Sequence, residues 1–247
     1  MTQRGINLAP GPERPAGGHG VVGRRRAQLS VLLAFAVMSS SALAGTLAGT
    51  VRARAAAETG GAGNDGAYGS RRYRFVERID YDRLQDFVVS IEGPLPAAGD
   101  SRVDTVVQKD AAFEPHVLPV VAGTVVRWPN EDDIYHNVFS MSDETPFDLK
   151  LYKRGERVPE VRFEKVGRVD VFCGIHTQMH CIILVLPNPF FAKTDNRGRY
   201  TIKDVPAGTY RLKAWHERLP SRVQDVVVPA EGTVTADFVL GVGAAGE

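Results

Sequence analysis

A short stretch of the chain carries three side chains that commonly bind soft metal ions. Cys173, His176 and Met179 follow one another at intervals of three residues. Alternating apolar residues before Cys173 predict a strand that delivers the thiol, and a tight turn after it would present the imidazole and the thioether. A further imidazole, that of His136, lies 37 residues upstream of Cys173. The four side chains offer two nitrogens, a thiolate and a thioether.

This ligand set indicates a particular metal chemistry. A thiolate and two imidazoles in a trigonal plane, with a weak axial thioether, form the type 1 copper site of electron-transfer proteins. The sulfur ligands favour Cu(I) and the imidazoles keep Cu(II) bound, so such a site needs little rearrangement when an electron arrives. Catalysis would need an open coordination position with acid or base groups beside it. The sequence shows neither feature and therefore predicts an electron carrier and not an enzyme.

The segments that must position these ligands are short and extended. About a dozen runs rich in Val, Ile, Phe and Tyr are separated by turn residues, and a weak helical period occurs only between residues 73 and 87. This pattern predicts an all-β protein of sandwich architecture. The sequence Pro187-Asn188-Pro189 is rigid and poor in backbone donors, so it predicts a boundary between two domains.

The segment before this boundary resembles the cupredoxin family. The Cys-x2-His-x2-Met loop with an upstream His-Asn pair is most similar to the ligand loop of amicyanin, and residues 108–187 also resemble the plastocyanin-like domains of methylamine-utilisation proteins. The matching pieces are Phe113-Glu114-Pro115, Gly123-Thr124-Val125-Val126, Trp128-Pro129-Asn130, His136-Asn137-Val138-Phe139-Ser140, Phe147-Asp148-Leu149, Gly167-Arg168-Val169 and Cys173-Gly174-Ile175-His176.

The resemblance implies a Greek-key β-sandwich over residues 86–187 that holds one type 1 copper. Carried over to this sequence, the copper ligands would be His136, Cys173, His176 and Met179. Asn137 would tie the two ligand loops together and tune the thiolate. His176 would also be the electron port, because the later histidine of such sites has a ring edge at the surface. An unidentified redox protein would donate the electron and another would accept it.

The segment after the boundary resembles the carboxypeptidase regulatory-like, or transthyretin-like, β-sandwich. Residues 194–198 read Thr-Asp-Asn-Arg-Gly and residues 206–210 read Pro-Ala-Gly-Thr-Tyr, which match the two turn motifs of that family. The resemblance implies a small C-terminal sandwich over residues 188–247. Such modules serve as spacers, protein contacts or carbohydrate-binding domains, so the fold alone leaves the role of this one open.

The N-terminus has the pattern of an export signal. Arg24-Arg25-Arg26 precedes an apolar run that ends in Ala42-Leu43-Ala44, so residues 1–44 are predicted to be a signal peptide, or a signal anchor if they are not cleaved. Residues 45–85 are rich in Ala, Gly and Arg and are predicted to be a flexible linker and lead-in. The protein would then be periplasmic or secreted, and attached to a membrane only by an uncleaved leader.

The sequence leaves other uses of the same residues open. Cys173 and Cys181 could form a disulfide in an oxidising compartment. Zinc could bind near Cys173 and His176, although His180 and Cys181 are strand neighbours that point to opposite faces and would not share one tetrahedron. Four histidines are expected to be surface or hydrogen-bonded side chains, namely His19, His116, His180 and His216.

Composition narrows the functional classes only broadly. The chain has 247 residues with 30 basic and 29 acidic side chains, and its formal net charge of +1 gives no electrostatic case for binding nucleic acid. Besides an electron carrier, two classes remain: a copper trafficking or storage protein, and a β-rich surface or carbohydrate-binding module with a vestigial metal loop. A multicopper oxidase or nitrite reductase is disfavoured, because the chain has no His-x-His pair.

Overall fold

Alternating apolar residues give the chain a succession of strands, as the sequence predicts. The structure, a computed structural model, describes residues 44–55, 79–95 and 102–241. Its strands are β1 (Ala44–Ala53), β2 (Val88–Ile91), β3 (Val103–Thr105), β4 (Val107–Lys109), β5 (Ala112–Glu114), β6 (Val117–Val121), β7 (Thr124–Arg127), β8 (His136–Ser140), β9 (Phe147–Tyr152), β10 (Glu160–Phe163), β11 (Gly167–Phe172), β12 (His180–Leu186), β13 (Phe191–Lys193), β14 (Arg199–Pro206), β15 (Gly208–His216), β16 (Leu219–Val228), β17 (Thr233–Thr235) and β18 (Phe238–Leu240).

The all-β fold class is confirmed. Within the described ranges the only helical element is a short 3-10 turn, Tyr81–Arg83, which lies in the stretch where the sequence showed a weak helical period. No helix in these ranges is long and apolar enough to cross a membrane. The predicted leader lies outside the described residues apart from Ala44, which begins β1.

The first sandwich is contiguous in sequence and consists of β3 to β12. One of its sheets has the strand order β6-β12-β11-β8-β9, and the other has the order β10-β7-β3. A two-stranded β4-β5 ladder lies beside them. The core between the sheets contains the fully buried aromatic side chains Trp128, Tyr152 and Phe163. The central strands β8, β11 and β12 of the larger sheet are the ones that reach the predicted metal ligands.

The second sandwich is built from three separate segments of the chain. Its sheets have the orders β14-β1-β17, with β18 also paired to β1, and β13-β2-β15-β16. Two predictions are therefore wrong. Residues 45–53 are not a flexible linker, because they form most of β1. The first sandwich does not begin at residue 86, the predicted start of a cupredoxin domain, because β2 belongs to the second sandwich. Residues 56–78, the rest of the predicted linker, lie outside the described part of the chain.

The small residues of β1 have a structural purpose that composition concealed. Leu47 and Val51 point into the core of the second sandwich and are almost completely buried. Between them, Gly49 lies against the backbone of Ala236, where an added Cβ would come within 2.0 Å of the carbonyl oxygen. A residue with a side chain would push the two backbones apart. A sequence that resembles a tether is thus a closely packed strand.

The two sandwiches share an apolar contact. Val88 of β2 packs with Val117 of β6 and with Ile182, Leu184 and Leu186 of β12, and all five side chains are buried. The segment that links the sandwiches is also fixed, because the buried Asn188 side chain donates hydrogen bonds of 2.8 Å to the carbonyls of Ile91, in β2, and Gly93. Apolar packing and hydrogen bonds therefore hold the two sandwiches together at the proline-flanked boundary.

Candidate metal centre

Three strand ends bring the predicted ligands together at one end of the first sandwich. His136 begins β8, Cys173 directly follows β11 and Met179 directly precedes β12. Because β11 lies between β8 and β12 in the sheet, these positions are neighbours. The loop between them is closed by two backbone hydrogen bonds, from Cys173 N–H to the Met179 carbonyl at 3.2 Å and from Met179 N–H to the His176 carbonyl at 3.0 Å.

The ligand atoms of three residues converge on one point. His136 Nδ1 lies 3.0 Å from His176 Nδ1, and Cys173 Sγ lies 3.6 Å from the same His176 nitrogen. All three atoms lie within 4.8 Å of one another. His136 is completely buried and Cys173 nearly so, whereas His176 is half-buried. Met179 is 1% exposed and belongs to the same buried cluster as Cys173.

The hydrogen bonding of His136 directs the lone pair of its Nδ1 towards His176. His136 donates its Nε2–H to Asp132 Oδ2 at 2.8 Å, so a neutral ring carries a bare lone pair at Nδ1. That lone pair faces a second imidazole nitrogen 3.0 Å away. Two lone pairs at this distance repel each other unless a proton or a metal ion lies between them. A carboxylate that orients a histidine from behind is the usual partner of a metal-bound imidazole.

Asp132 is well suited to remain ionised behind this ring. Burial alone would raise the pKa of its carboxyl, but hydrogen bonds from the backbone of Ala111, the His136 ring and the backbone of Asp110 outweigh burial and lower it. The sequence interpretation did not assign this role to Asp132. The spacing of Asp132 four residues before His136 was the available signal.

Asn137 lies between strand β9 and the loop after Cys173. Its side-chain amide donates to Asp148 Oδ1 at 2.8 Å. Its oxygen faces Gly174, where an added Cβ would come within 2.8 Å of it. Hydrogen bonds from Lys150, and then from Asn137, lower the pKa of Asp148 to about 2. The Asn137 side chain therefore has an ionised anchor on β9 and a close contact with the loop after Cys173.

The alternatives that involve Cys181 do not match the structure. Cys173 and Cys181 are both free, buried thiols. Burial raises the pKa of the Cys181 thiol strongly, which opposes the thiolate form that a metal requires. His180 points away from Cys181 and donates to Asp170 at 2.8 Å. These two neighbours therefore do not contribute to one zinc tetrahedron with Cys173.

Four exposed apolar side chains directly precede, or lie within two residues of, the proposed ligands in the sequence. Ile134 and Tyr135 directly precede His136, Phe172 directly precedes Cys173, and Ile175 directly precedes His176. Each of these four side chains is exposed. The half-buried His176 ring thus reaches the surface beside neighbours that are largely apolar.

A second cluster of possible ligands was missed by the sequence interpretation. His116, His180 and Glu217 offer ligand atoms that lie within 4.8 Å of one another. His116 and His180 were expected to be surface or hydrogen-bonded side chains, and both are hydrogen-bonded. No sequence signal could have joined them to Glu217, because His116 and Glu217 are 101 residues apart.

Comparison with protein families identifies the second sandwich. Residues 188–241 match the family model of the carboxypeptidase regulatory-like domain, which confirms the resemblance seen in the turn motifs. The structure adds β1 and β2 to this sandwich, outside the matched residues. No curated protein sequence matches the chain.

Solved structures similar to the chain include cupredoxins. The Novel Purple Cupredoxin from Nitrosopumilus maritimus is 21% identical, with a TM-score of 0.30, over 33% of this chain and 98% of its own. The M98A mutant of amicyanin in the Cu(I) state is 22% identical, with a TM-score of 0.32, over 39% and 97%. The Cu-containing nitrite reductase from Thermus scotoductus SA-01 is 26% identical, with a TM-score of 0.33, over 38% of this chain and only 25% of its own length.

Proposed function

We propose that this protein is an exported type 1 copper protein that carries single electrons between two redox proteins. The observation that supports the proposal most directly is the convergence of His136 Nδ1, His176 Nδ1 and Cys173 Sγ within 4.8 Å. A thiolate with two imidazoles is the equatorial ligand set of such a site. The buried Met179 thioether, at the end of the same loop, is the proposed axial ligand.

Copper would accept and release one electron, and the protein would hold the copper ligands in fixed positions. His136 is fixed from behind by Asp132, and Cys173 is fixed by its backbone hydrogen bond to Met179. His136 begins a paired strand, and Cys173 and Met179 directly flank two others, so a change in the charge of the site would move these ligands little. Small rearrangement on electron arrival is what fast transfer requires.

Burial of the ligands supports a carrier and not an enzyme. His136, Cys173 and Met179 are all buried, and His176 alone is partly exposed. A substrate molecule could not reach an open coordination position through this surface. An electron needs only a short path to a partner, and the His176 ring edge would provide that path. We propose that the partner docks against the exposed apolar side chains around this ring.

Redox cycling in the presence of a copper chelator tests this function against copper trafficking. The copper-loaded full chain should give a reversible one-electron wave in voltammetry and should retain its copper through repeated cycles with a Cu(I) chelator in solution. A trafficking or storage protein would instead release copper to the chelator upon reduction. Loss of the metal within the first cycles would therefore contradict the carrier proposal.

A charge substitution tests the proposed electron port. Ile175→Glu places a carboxylate beside the His176 ring and should slow electron self-exchange, because two copies of the protein would then repel each other at this surface. Val239→Glu is the matched control, since Val239 is also exposed but lies on β18 of the second sandwich. Equal slowing by both variants would contradict the assignment of the port.

A further inference from the structure

The second cluster of possible ligands lies where the two sandwiches meet. His116 directly precedes β6 and His180 begins β12, both in the first sandwich, whereas Glu217 lies in the turn between β15 and β16 of the second. One ligand atom from each residue lies within 4.8 Å of the other two. None of these residues contributes to the proposed copper centre. All three side chains are partly exposed, so an ion could reach them.

Each ring nitrogen of His116 faces an oxygen acceptor. His116 Nδ1 lies 3.2 Å from the carbonyl oxygen of His180, which can only accept, so this nitrogen carries the proton. In a neutral ring, His116 Nε2 is then a bare acceptor, and it faces Glu217 Oε1 at 2.9 Å. Two acceptors at this distance need either a second proton on the imidazole or a metal ion between them.

His180 has the environment that is typical of a metal-bound histidine. Its Nε2–H donates to Asp170 Oδ1 at 2.8 Å, and Phe172 stacks on the ring with a centroid separation of 4.8 Å. Arg168 holds the Asp170 carboxylate in place with hydrogen bonds at 2.7 and 2.9 Å. A ring that donates one N–H to a fixed carboxylate keeps the lone pair of its other nitrogen for a metal.

Arg168 also connects this arrangement to the second sandwich. Its Nη1 lies 3.5 Å from the Glu217 carbonyl oxygen, so the residue that positions Asp170 also contacts the turn that carries Glu217. The guanidinium offsets the charge of Asp170, so the cluster offers a metal two imidazoles and one carboxylate. Zinc and similar divalent transition metals prefer this combination of nitrogen and oxygen ligands.

We propose that His116, His180 and Glu217 bind a divalent transition metal of the zinc class that clamps the two sandwiches together. A tetrahedral zinc ion with ligand bonds of about 2.0–2.1 Å separates its ligand atoms by roughly 3.4 Å. Ligand atoms that already lie within 4.8 Å of one another reach this spacing by small side-chain movements. Water would take the fourth position on the exposed side. Because Glu217 comes from the other sandwich, the site exists only when both are folded and docked.

Zinc binding to a variant without the first site tests the proposal independently of copper. The full chain with Cys173→Ser and His176→Gln lacks two ligand atoms of the proposed copper centre. We expect it to bind one zinc per chain in calorimetry and equilibrium dialysis. Its thermal unfolding midpoint should rise with zinc concentration, because an ion that binds only the folded state stabilises it.

Two carboxyl substitutions, each added to the Cys173→Ser and His176→Gln variant, test whether Glu217 binds the zinc. Glu217→Gln should weaken zinc binding by at least about tenfold and remove the rise in the unfolding midpoint. Glu231→Gln, an exposed carboxyl of the same sandwich outside the cluster, should change neither. His116→Gln should match Glu217→Gln. The proposal is overturned if the background variant binds no zinc, or if Glu217→Gln and Glu231→Gln bind it equally well. The cluster would then be a hydrogen-bonded contact only.

Discussion

The two sandwiches of this protein are assembled in opposite ways. The first uses one continuous stretch, from β3 to β12, and contains every proposed copper ligand. The second brings β1 and β2 to strands that follow more than 90 residues later in the chain, and contains no proposed copper ligand. In the first sandwich the ligand loops are positioned by strands that are close in sequence. The second depends for its core on a segment that the sequence presents as a linker.

Deletion of β1 should produce the largest difference in effect between the two sandwiches. Deletion of residues 44–53 takes away the strand that pairs with β14, β17 and β18, and with it Leu47 and Val51 from the core. We expect the second sandwich to unfold while the first still binds copper, as followed by circular dichroism and copper titration. Deletion of residues 60–69, an equal length from the predicted linker, is the control. A fully folded second sandwich without β1 would refute this dependence.

A single substitution in β1 should have a smaller effect of the same kind. Leu47 is completely buried, so Leu47→Ala should lower the free energy of unfolding by about 2–5 kcal/mol. Leu151→Ala is the matched control, because Leu151 is more than half exposed on β9, and its cost should stay within about 0.5 kcal/mol. Denaturant titration measures both. Equal costs would mean that β1 contributes little to the core.

The hydrogen bond between His136 and Asp132 should contribute more to copper affinity than to the stability of the fold. Asp132→Asn removes the carboxylate that orients the ring and should weaken copper binding by about 10–100-fold, or roughly 1.4–2.7 kcal/mol. Asp133→Asn, the adjacent and highly exposed carboxyl, should leave the affinity unchanged. Competition with a chelator of known affinity measures the difference. Parallel weakening in both variants would indicate a general electrostatic effect.

The smallest expected effect concerns the first turn motif of the second sandwich. Asp195 accepts hydrogen bonds from the backbone and side chain of Arg199 and from the backbone of Arg197, which lower the pKa of its carboxyl below 3.8. A lowered pKa gives stability that is present above pH 3.8 and is lost as the pH falls below it. Between pH 5 and pH 3 the unfolding midpoint should therefore fall less in Asp195→Asn than in the parent. Glu231→Gln should behave like the parent, and an identical fall in all three proteins would contradict this role.

Most of the candidate site was predictable from the sequence because three of its four residues are local. Cys173, His176 and Met179 lie within seven residues, and the turn that holds them is built from their own backbone hydrogen bonds. The two turn motifs of the second sandwich are equally local. The all-β class followed from the alternation of apolar residues along the short strands.

The features that could not be predicted depend on distant pairing. The buried apolar side chains of β1 are Leu47 and Val51, and Gly49 between them is explained by the close approach of Ala236, far away in the chain. The cluster of His116, His180 and Glu217 exists only because the sandwiches dock. From composition alone, β1 resembles a linker, and the three residues of the cluster resemble ordinary polar side chains.

The visible absorption spectrum during Cu(II) titration tests the central claim most directly. The full chain, reduced and freed of metal, should develop an intense thiolate-to-copper band that saturates at one copper per chain at this site. Cys173→Ser should abolish the band. Cys181→Ala, the other buried cysteine, should retain it. A colourless copper complex, or a band that persists in Cys173→Ser, would contradict the assignment of a type 1 copper centre.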